Sequence, residues 1–376
     1  MEEVPTALYL CLEASHGVRG CLLESSVSGT WSQESSRLPI MAREAAEAPG
    51  VARLQLARSE DAFMQLGERL RRQPPRFVVT CARGSSDHAA VYGKYLIETT
   101  LGRAVASVGP SVASIYGAHA LDLRDSLFIA VSQSGRSPDL LRLTEAAKAS
   151  GALVVGFIND ASAPLGALCD VSIPLDAGPE RAVAATKSYL LSGLAFLRLA
   201  AHWSASPELH EAVAAFPDAL TSACALDWWP ALETLVDAQS LYVVGRGSGL
   251  GAALELALKL KETCRVHAEA FSAAEVVHGP LGLVRPGFPV IALGQEDGSA
   301  EGTRAVVRRM LELGADVRSV LPVPGAATLP TVPGVPLALA PLCQVQSFYL
   351  AVHRLATARG MDPDAPANLR KVTETV

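Results

Sequence analysis

The feature that most limits what this chain can fold into is a strand-loop-helix unit that occurs twice. FVVT (Phe77 to Thr80) runs into CARGSSDHA and a helix through Tyr95 to Thr100, and LYVVG (Leu241 to Gly245) runs into a second loop and helix. RGSSDHAAVYGKYLIET from Arg83 and RGSGLGAALELALKLKET from Arg246 share the order of elements, the Arg-Gly-Ser start, and a Lys and a Glu-Thr towards the end. Such self-similarity points to two copies of one fold in tandem. Around the first copy AVASV (104–108), LFIAV (127–131), ALVVGFI (152–158) and VSIPL (171–175) read as strands between helical patterns, and around the second FPVIAL (288–293) and DVRSVL (316–321) do so. Short apolar strands alternating with helices imply parallel pairing. The expected class is α/β: two doubly wound, mostly parallel sheets with helices on both faces.

The expected organisation is a poorly ordered extension over residues 1–40, a helical segment at 41–67, a first domain at 68–206, a second at 228–364 and a tail at 365–376 that closes the active site. The extension holds Ser and Gly clusters without sustained periodicity, and Met41, where the helical pattern begins, is an expected alternative translation start. SASPELHEAVAAFPDAL reads as a polar connector between the domains.

With 376 residues, 49% of them hydrophobic and 19% charged, the chain can bury two ordinary cores. A net charge of -6 and no run of lysine or arginine leave nucleic acid and anionic membrane surfaces disfavoured as partners. The seven cysteines include no CxxC pair, which argues against a disulfide framework or structural zinc and for a reducing cytoplasm. No apolar run reaches the roughly 18 residues of a membrane helix, and the acidic start MEEVPTALYLCLEAS does not read as a signal peptide.

Chemistry concentrates in three places. Leu254 to Val284 places Glu255, Lys259 and Glu262 at i, i+4 and i+7 of a helix whose other positions are mostly Ala and Leu. A charged face on an otherwise apolar helix meets partners or a ligand rather than water. Ligands of parallel α/β sheets lie beyond the carboxyl ends of the strands. The loops there are Gly84-Ser85-Ser86 and Ser132-Gln133-Ser134-Gly135-Arg136-Ser137. Serines in such loops serve as helix N-caps, but four Ser or Gln donors in six residues exceed that need and suit a phosphate monoester. GRGSGLGAA matches a dinucleotide fingerprint only loosely, since no acidic residue ends a strand about 20 residues on. His267, Glu269, Glu275 and His278 fit no metal-ligand spacing, so no metal and no organic cofactor is expected. His267 is expected to be a satisfied core histidine.

SQSG (132–135), VAATK (183–187), ALKLKE (257–262), HAEA (267–270), HGPL (278–281) and NLRKVT (368–373), in that order, resemble the double sugar-isomerase (SIS) domain family. The resemblance covers about Met41 to Val376 and is to the isomerase half of glucosamine-6-phosphate synthase. It implies two flavodoxin-like SIS domains. That synthase carries a glutaminase domain with an N-terminal nucleophilic cysteine, whereas here residue 2 is Glu2, so ammonia from glutamine is not expected. GPERAVAATKSYL looks like the SIS-type glucosamine-6-phosphate deaminases. By resemblance, Ser85, Ser86, Ser132, Gln133, Ser134 and Ser137 hold the 6-phosphate, and Glu180, Val183 and Ala184 line the sugar; Ala185 replaces a family serine. Glu262 is the implied base between C1 and C2, His278 the ring-opening group supplied by the other subunit of a homodimer, and Lys259 and Lys371 the cations at the carbonyl. The implied activity is cofactor-free conversion of glucosamine 6-phosphate to fructose 6-phosphate and ammonia. A galactosamine-6-phosphate deaminase or a fructosamine-6-phosphate deglycase would use the same parts, and a non-catalytic sugar-phosphate regulator is the alternative of another class.

Overall fold

Ten strands pair into two five-stranded sheets in this computed structural model, which describes residues 38–117 and 121–371. The first sheet holds β1 (Phe77–Cys81), β2 (Val105–Ser107), β3 (Ser126–Ser132), β4 (Leu153–Ile158) and β5 (Val171–Pro174), in the order β2-β1-β3-β4-β5. The second holds β6 (Ser240–Gly245), β7 (His267–Ser272), β8 (Pro289–Ala292), β9 (Asp316–Ser319) and β10 (Ala327–Thr328), in the order β10-β9-β8-β6-β7. Every pair in both sheets is parallel. The order is the same in the two halves, with the topological switch between β1 and β3 and between β6 and β8. The expected pair of tandem doubly wound domains is the architecture present.

Side-chain alternation along the strands divides the cores. Val78, Leu127, Ile129, Val155 and Phe157 point into one large cluster, while Val79, Phe128, Ala130 and Val154 point to the opposite face of the first sheet. Tyr242, Val244, Val290 and Val317 likewise form the outer core of the second sheet. Both faces of each sheet are covered, as parallel sheets require.

Three short helices precede the first sheet: α1 (Ile40–Ala46), α2 (Ala48–Arg58) and α3 (Glu60–Arg72). Within the sheets run α4 (Gly84–Leu101), α5 (Ser111–Ser114), α6 (Pro138–Ala149) and α7 (Pro164–Leu168), and then α8 (Lys187–Ser204), which is buried from Lys187 to Trp203. After it come α9 (Pro207–Cys224), α10 (Trp229–Leu232), α11 (Gly249–Cys264), α12 (Ala300–Glu312) and α13 (Ala340–Ala358). No helix among the described residues is long and apolar enough to cross a membrane.

The two equivalent helices α4 and α11 meet in the central core, and glycine sets how closely. A Cβ on Gly251 would lie 2.6 Å from the His88 carbonyl oxygen and 2.9 Å from the Tyr92 nitrogen. This backbone contact brings the loop after β1 against the charged face of α11. Gly93 does the same against the Phe196 ring of α8, 2.2 Å from an added Cβ.

Four local readings change. The polar connector is largely the helix α9, because Ser206 caps it by accepting from the Leu209 N–H at 3.2 Å and Val213, Phe216, Leu220 and Ala223 bury one face. The HAEA segment, not separable in sequence from the helix before it, is the edge strand β7. Its outward face carries His267 and Glu269, so His267 is exposed rather than a core histidine. Residues 1–37 of the expected extension lie outside the described residues, while Ile40 and Met41 already belong to α1 and Met41 is buried.

Gly251→Ala should destabilise the protein by about 1–3 kcal/mol, since neither backbone atom can yield cheaply. Gly50→Ala, in open space within α2, should gain about 0.5–1 kcal/mol. Urea unfolding midpoints of the two variants check both signs.

Candidate active site

Loops from the two strands at the first switch point enclose a cavity of about 350 Å³. After β1 the chain must turn at once into α4, and Gly84 takes a φ of +53° to do so, a conformation that disfavours any side chain. Ser85 and Ser86 follow in the first turn. After β3, Gly135 has a φ of +61°, and a Cβ there would lie 2.5 Å from the Ala163 Cβ. Ser132, Gln133, Ser134 and Ser137 all line the cavity from this loop. Arg83 ties the two loops together, donating from Nε and Nη2 to Asp139 Oδ2 at 3.1 and 2.6 Å. The N-termini of α4 and α6 thus open on the same space, where amide groups and helix dipoles favour an anion.

The serines are not equivalent. Ser132 Oγ accepts from the Gly135 N–H at 2.9 Å, which leaves its own proton for a ligand. Ser85 Oγ donates to Glu255 Oε1 at 3.1 Å, so its proton is committed inside the protein.

The α11 face supplies the charge. Glu255 is completely buried and also accepts from Tyr349 OH at 2.7 Å, while His88 Nδ1 lies 2.9 Å from its other oxygen. Lys259, equally buried, sits 3.5 Å from Glu255 and is hydrogen-bonded to Glu262, which is half-buried and lines the cavity. Burial pushes the Glu255 carboxyl up, but Lys259, His88 and Tyr349 outweigh it and hold the group below its ordinary value. Burial likewise pushes Lys259 down, yet Glu255 and Glu262 overcome it and hold the ammonium above its ordinary value. The cation therefore persists beside Glu262.

The third wall comes from the segment between β5 and α8 and from the tail. Val183 and Ala185 face the cavity. Ala184 between them is turned fully into the core, where the chain bends through residues 182–184. Glu180 does not line the cavity. It accepts from the Thr186 and Ser188 N–H groups at 2.9 and 3.1 Å and from Ser188 Oγ at 2.7 Å, and Lys371 of the tail lies 3.2 Å from it. Its burial is outweighed by Lys371 and these donors, so its carboxyl too is held low. The tail folds over the site and brings Leu369, Arg370 and Lys371 to the cavity.

Of the residues expected at the site, Ser85, Ser86, Ser132, Gln133, Ser134, Ser137, Val183, Lys259, Glu262 and Lys371 converge on one cavity. His278 does not. It is exposed on the turn after β7 and does not line this cavity. Arg83, Ser188, Leu369 and Arg370 line the cavity without having been expected. Arg83 had a signal, the repeated Arg-Gly-Ser start; Tyr349, 94 residues from Glu255, had none.

Because Glu255 has a depressed folded pKa, its stabilisation is complete above its unfolded value of about 4.3 and is lost as pH falls through the folded value. Glu255→Gln should therefore lower Tm at pH 7 and show a shallower fall in Tm below about pH 4.5 than the parent. Thermal melts from pH 7 to 3 test this; parallel curves would contradict it.

The family model described as SIS domain matches residues 73–202 and 234–321. A glutamine–fructose-6-phosphate aminotransferase (isomerizing) of Aeropyrum pernix is 36% identical over 310 residues, covering 77% of this chain and 49% of the relative. The chain spans about half the length of the curated relatives it matches. A crystal structure from Silicibacter pomeroyi DSS-3, described as a candidate phosphosugar isomerase, superposes with a TM-score of 0.83 at 39% identity, covering 87% of this chain and 100% of that one. A glucosamine-6-phosphate deaminase of Thermotoga maritima shares the fold, with a TM-score of 0.66 at 21% identity, covering 86% of this chain and 100% of its own.

Proposed function

The chain belongs to the SIS domain family, and from that premise we propose that it is a sugar-phosphate enzyme, a deaminating ketol isomerase that converts glucosamine 6-phosphate and water to fructose 6-phosphate and ammonia. The observation that carries this reading is the placement of Glu262, with Lys259 beside it, across one cavity from two hydroxyl-rich loops at helix N-termini. A phosphate monoester on Ser86, Ser132, Gln133, Ser134 and Ser137 would leave the sugar carbons extending towards Glu262.

In this reading His278 comes from a second copy of the chain in a homodimer, which suits its exposed position. It takes the anomeric proton and returns a proton to the ring oxygen, so the C1–O5 bond opens to an aldehyde. Glu262 removes the proton from C2, giving an enolamine, and delivers it to C1; the nitrogen is left as an imine on C2. Lys259 and Lys371 stabilise the negative charge that develops on O1. Water adds to the C2 imine, the C2–N bond breaks, and a ketone and ammonia remain.

Arg370 favours a second reading. It is exposed at the cavity, and no carboxylate among the described residues pairs with it. Beside the apolar Val183, Ala185 and Leu369, it suits a fructosamine 6-phosphate whose nitrogen carries an acidic substituent.

Glu262→Gln should lower turnover of glucosamine 6-phosphate by about 10²–10⁴-fold while sugar-phosphate binding stays within a few-fold. Ammonia and fructose 6-phosphate release, with galactosamine 6-phosphate alongside and chelator present, is the assay. Unchanged turnover in the variant would remove Glu262 as the base. Binding without turnover in the parent protein would favour the deglycase or the regulator.

A further inference from the structure

The segment between β5 and α8 has neither helix nor strand from residue 175 to 186, yet it forms one wall of the cavity and much of it is buried. Buried backbone N–H groups need acceptors, and outside regular structure side chains must supply them. Two consecutive amides at the centre of this wall, those of Arg181 and Ala182, go to one carboxylate on a distant helix. Arg181 donates to Glu44 Oε1 and Ala182 to Glu44 Oε2, the latter at 3.2 Å. Glu44 is on α1, 137 residues from Arg181, and is itself buried.

The other end of α1 is held just as specifically. The Ile40 and Met41 N–H groups donate to Asp364 Oδ2 and Oδ1 at 2.7 and 2.8 Å. Asp364 is the residue from which the tail starts, a short way before Leu369, Arg370 and Lys371 reach the cavity. One seven-residue helix therefore grips the 180–186 wall with a side chain and the tail with its first amides.

We infer that Glu44 is a positioning residue and that α1 is a clasp, holding Val183 and Ala185 against the cavity through Glu44 and holding the tail over it through Asp364. Its bearing on sugar binding rests on the reading that this cavity takes a sugar phosphate. The contacts themselves do not. In that reading the loops after β1 and β3 hold the phosphate, while the bonds of α1 described above go to the other wall and to the base of the tail, so release of the clasp should weaken sugar recognition and spare phosphate recognition.

The bond that Glu44 guards is a tryptic site, since Arg181 is exposed while Ala182 is 1% exposed. In Glu44→Gln one amide faces the new NH₂ group instead of an acceptor, so cleavage at Arg181–Ala182 under native conditions should accelerate at least tenfold relative to the other tryptic sites. Asp364→Ala should accelerate the same cut although Asp364 does not touch the wall. Gly251→Ala, at the crossing of α4 and α11, is the control for stability alone: it should lower Tm without favouring that cut. Calorimetry should show the glucosamine 6-phosphate Kd of Glu44→Gln raised about tenfold and the inorganic phosphate Kd unchanged. Equal relative cleavage of Glu44→Gln and the parent overturns the clasp, and so does a Gly251→Ala protein cut as selectively, since general destabilisation would then account for the cut. An effect in Glu44→Gln without one in Asp364→Ala overturns the link to the tail. Failure of the parent to bind glucosamine 6-phosphate overturns the functional reading instead, and the proteolysis still decides the clasp.

Discussion

A carboxylate with no solvent exposure must find its charge partner and donors inside the protein, and Glu255 draws them from three helices. Ser85 and His88 come from α4, Lys259 from its own helix α11, and Tyr349 from α13. Removing one member of a buried ion pair typically costs about 3–5 kcal/mol, so the arrangement tolerates little displacement. Ser85 belongs to the serine loop after β1 of the first sheet, and Lys259 to the helix of the second. Holding both from one carboxylate fixes the distance between the serine loop after β1 and the Lys259–Glu262 pair. The bare-backbone crossing at Gly251 lets the helices approach closely enough for this network to form.

The two halves share a topology and divide the chemistry. Beyond β1 and β3 the first sheet presents Ser, Gln and Gly. The equivalent loops of the second sheet present Arg246-Gly247-Ser248 and Gln295-Glu296-Asp297, and the two acids are exposed. Glu296 pairs with Arg304 and Asp297 accepts from Gln295 and Ser299, so this loop carries carboxylates where the first half carries hydroxyls. What the second half contributes is α11, whose charged face is turned towards the first half. A duplicated fold can specialise in this way because the shared core constrains the strands and helices and leaves the loops free to differ.

Irregular backbone around the cavity is held by side chains from elsewhere. Between β5 and α8, Asn159 Oδ1 accepts from Ala177, Glu44 from Arg181 and Ala182, and Glu180 from Thr186 and Ser188. Carboxylates suit this task because one group accepts from more than one amide, Glu44 through its two oxygens and Glu180 through one of them. The backbone bonding of the wall is therefore vested in three side chains, Asn159, Glu44 and Glu180.

The sequence by itself determined the tandem α/β architecture, most of the strands, the serine loops and the proximity of Glu255, Lys259 and Glu262. All of these follow from local periodicity and from where loops fall in a parallel sheet. Tertiary structure alone decided the rest. Ala184 turns inward and Ala185 outward because the chain bends there, and an irregular segment has no period from which its facing can be read. His267 is exposed because β7 lies at the sheet edge, and strand order is not written in any one strand. Tyr349, Glu44 and Asp364 act over separations of 94, 137 and 324 residues. A hydrogen bond closed across such a loop leaves no pattern in the residues beside it, since only the folded chain brings donor and acceptor to one place.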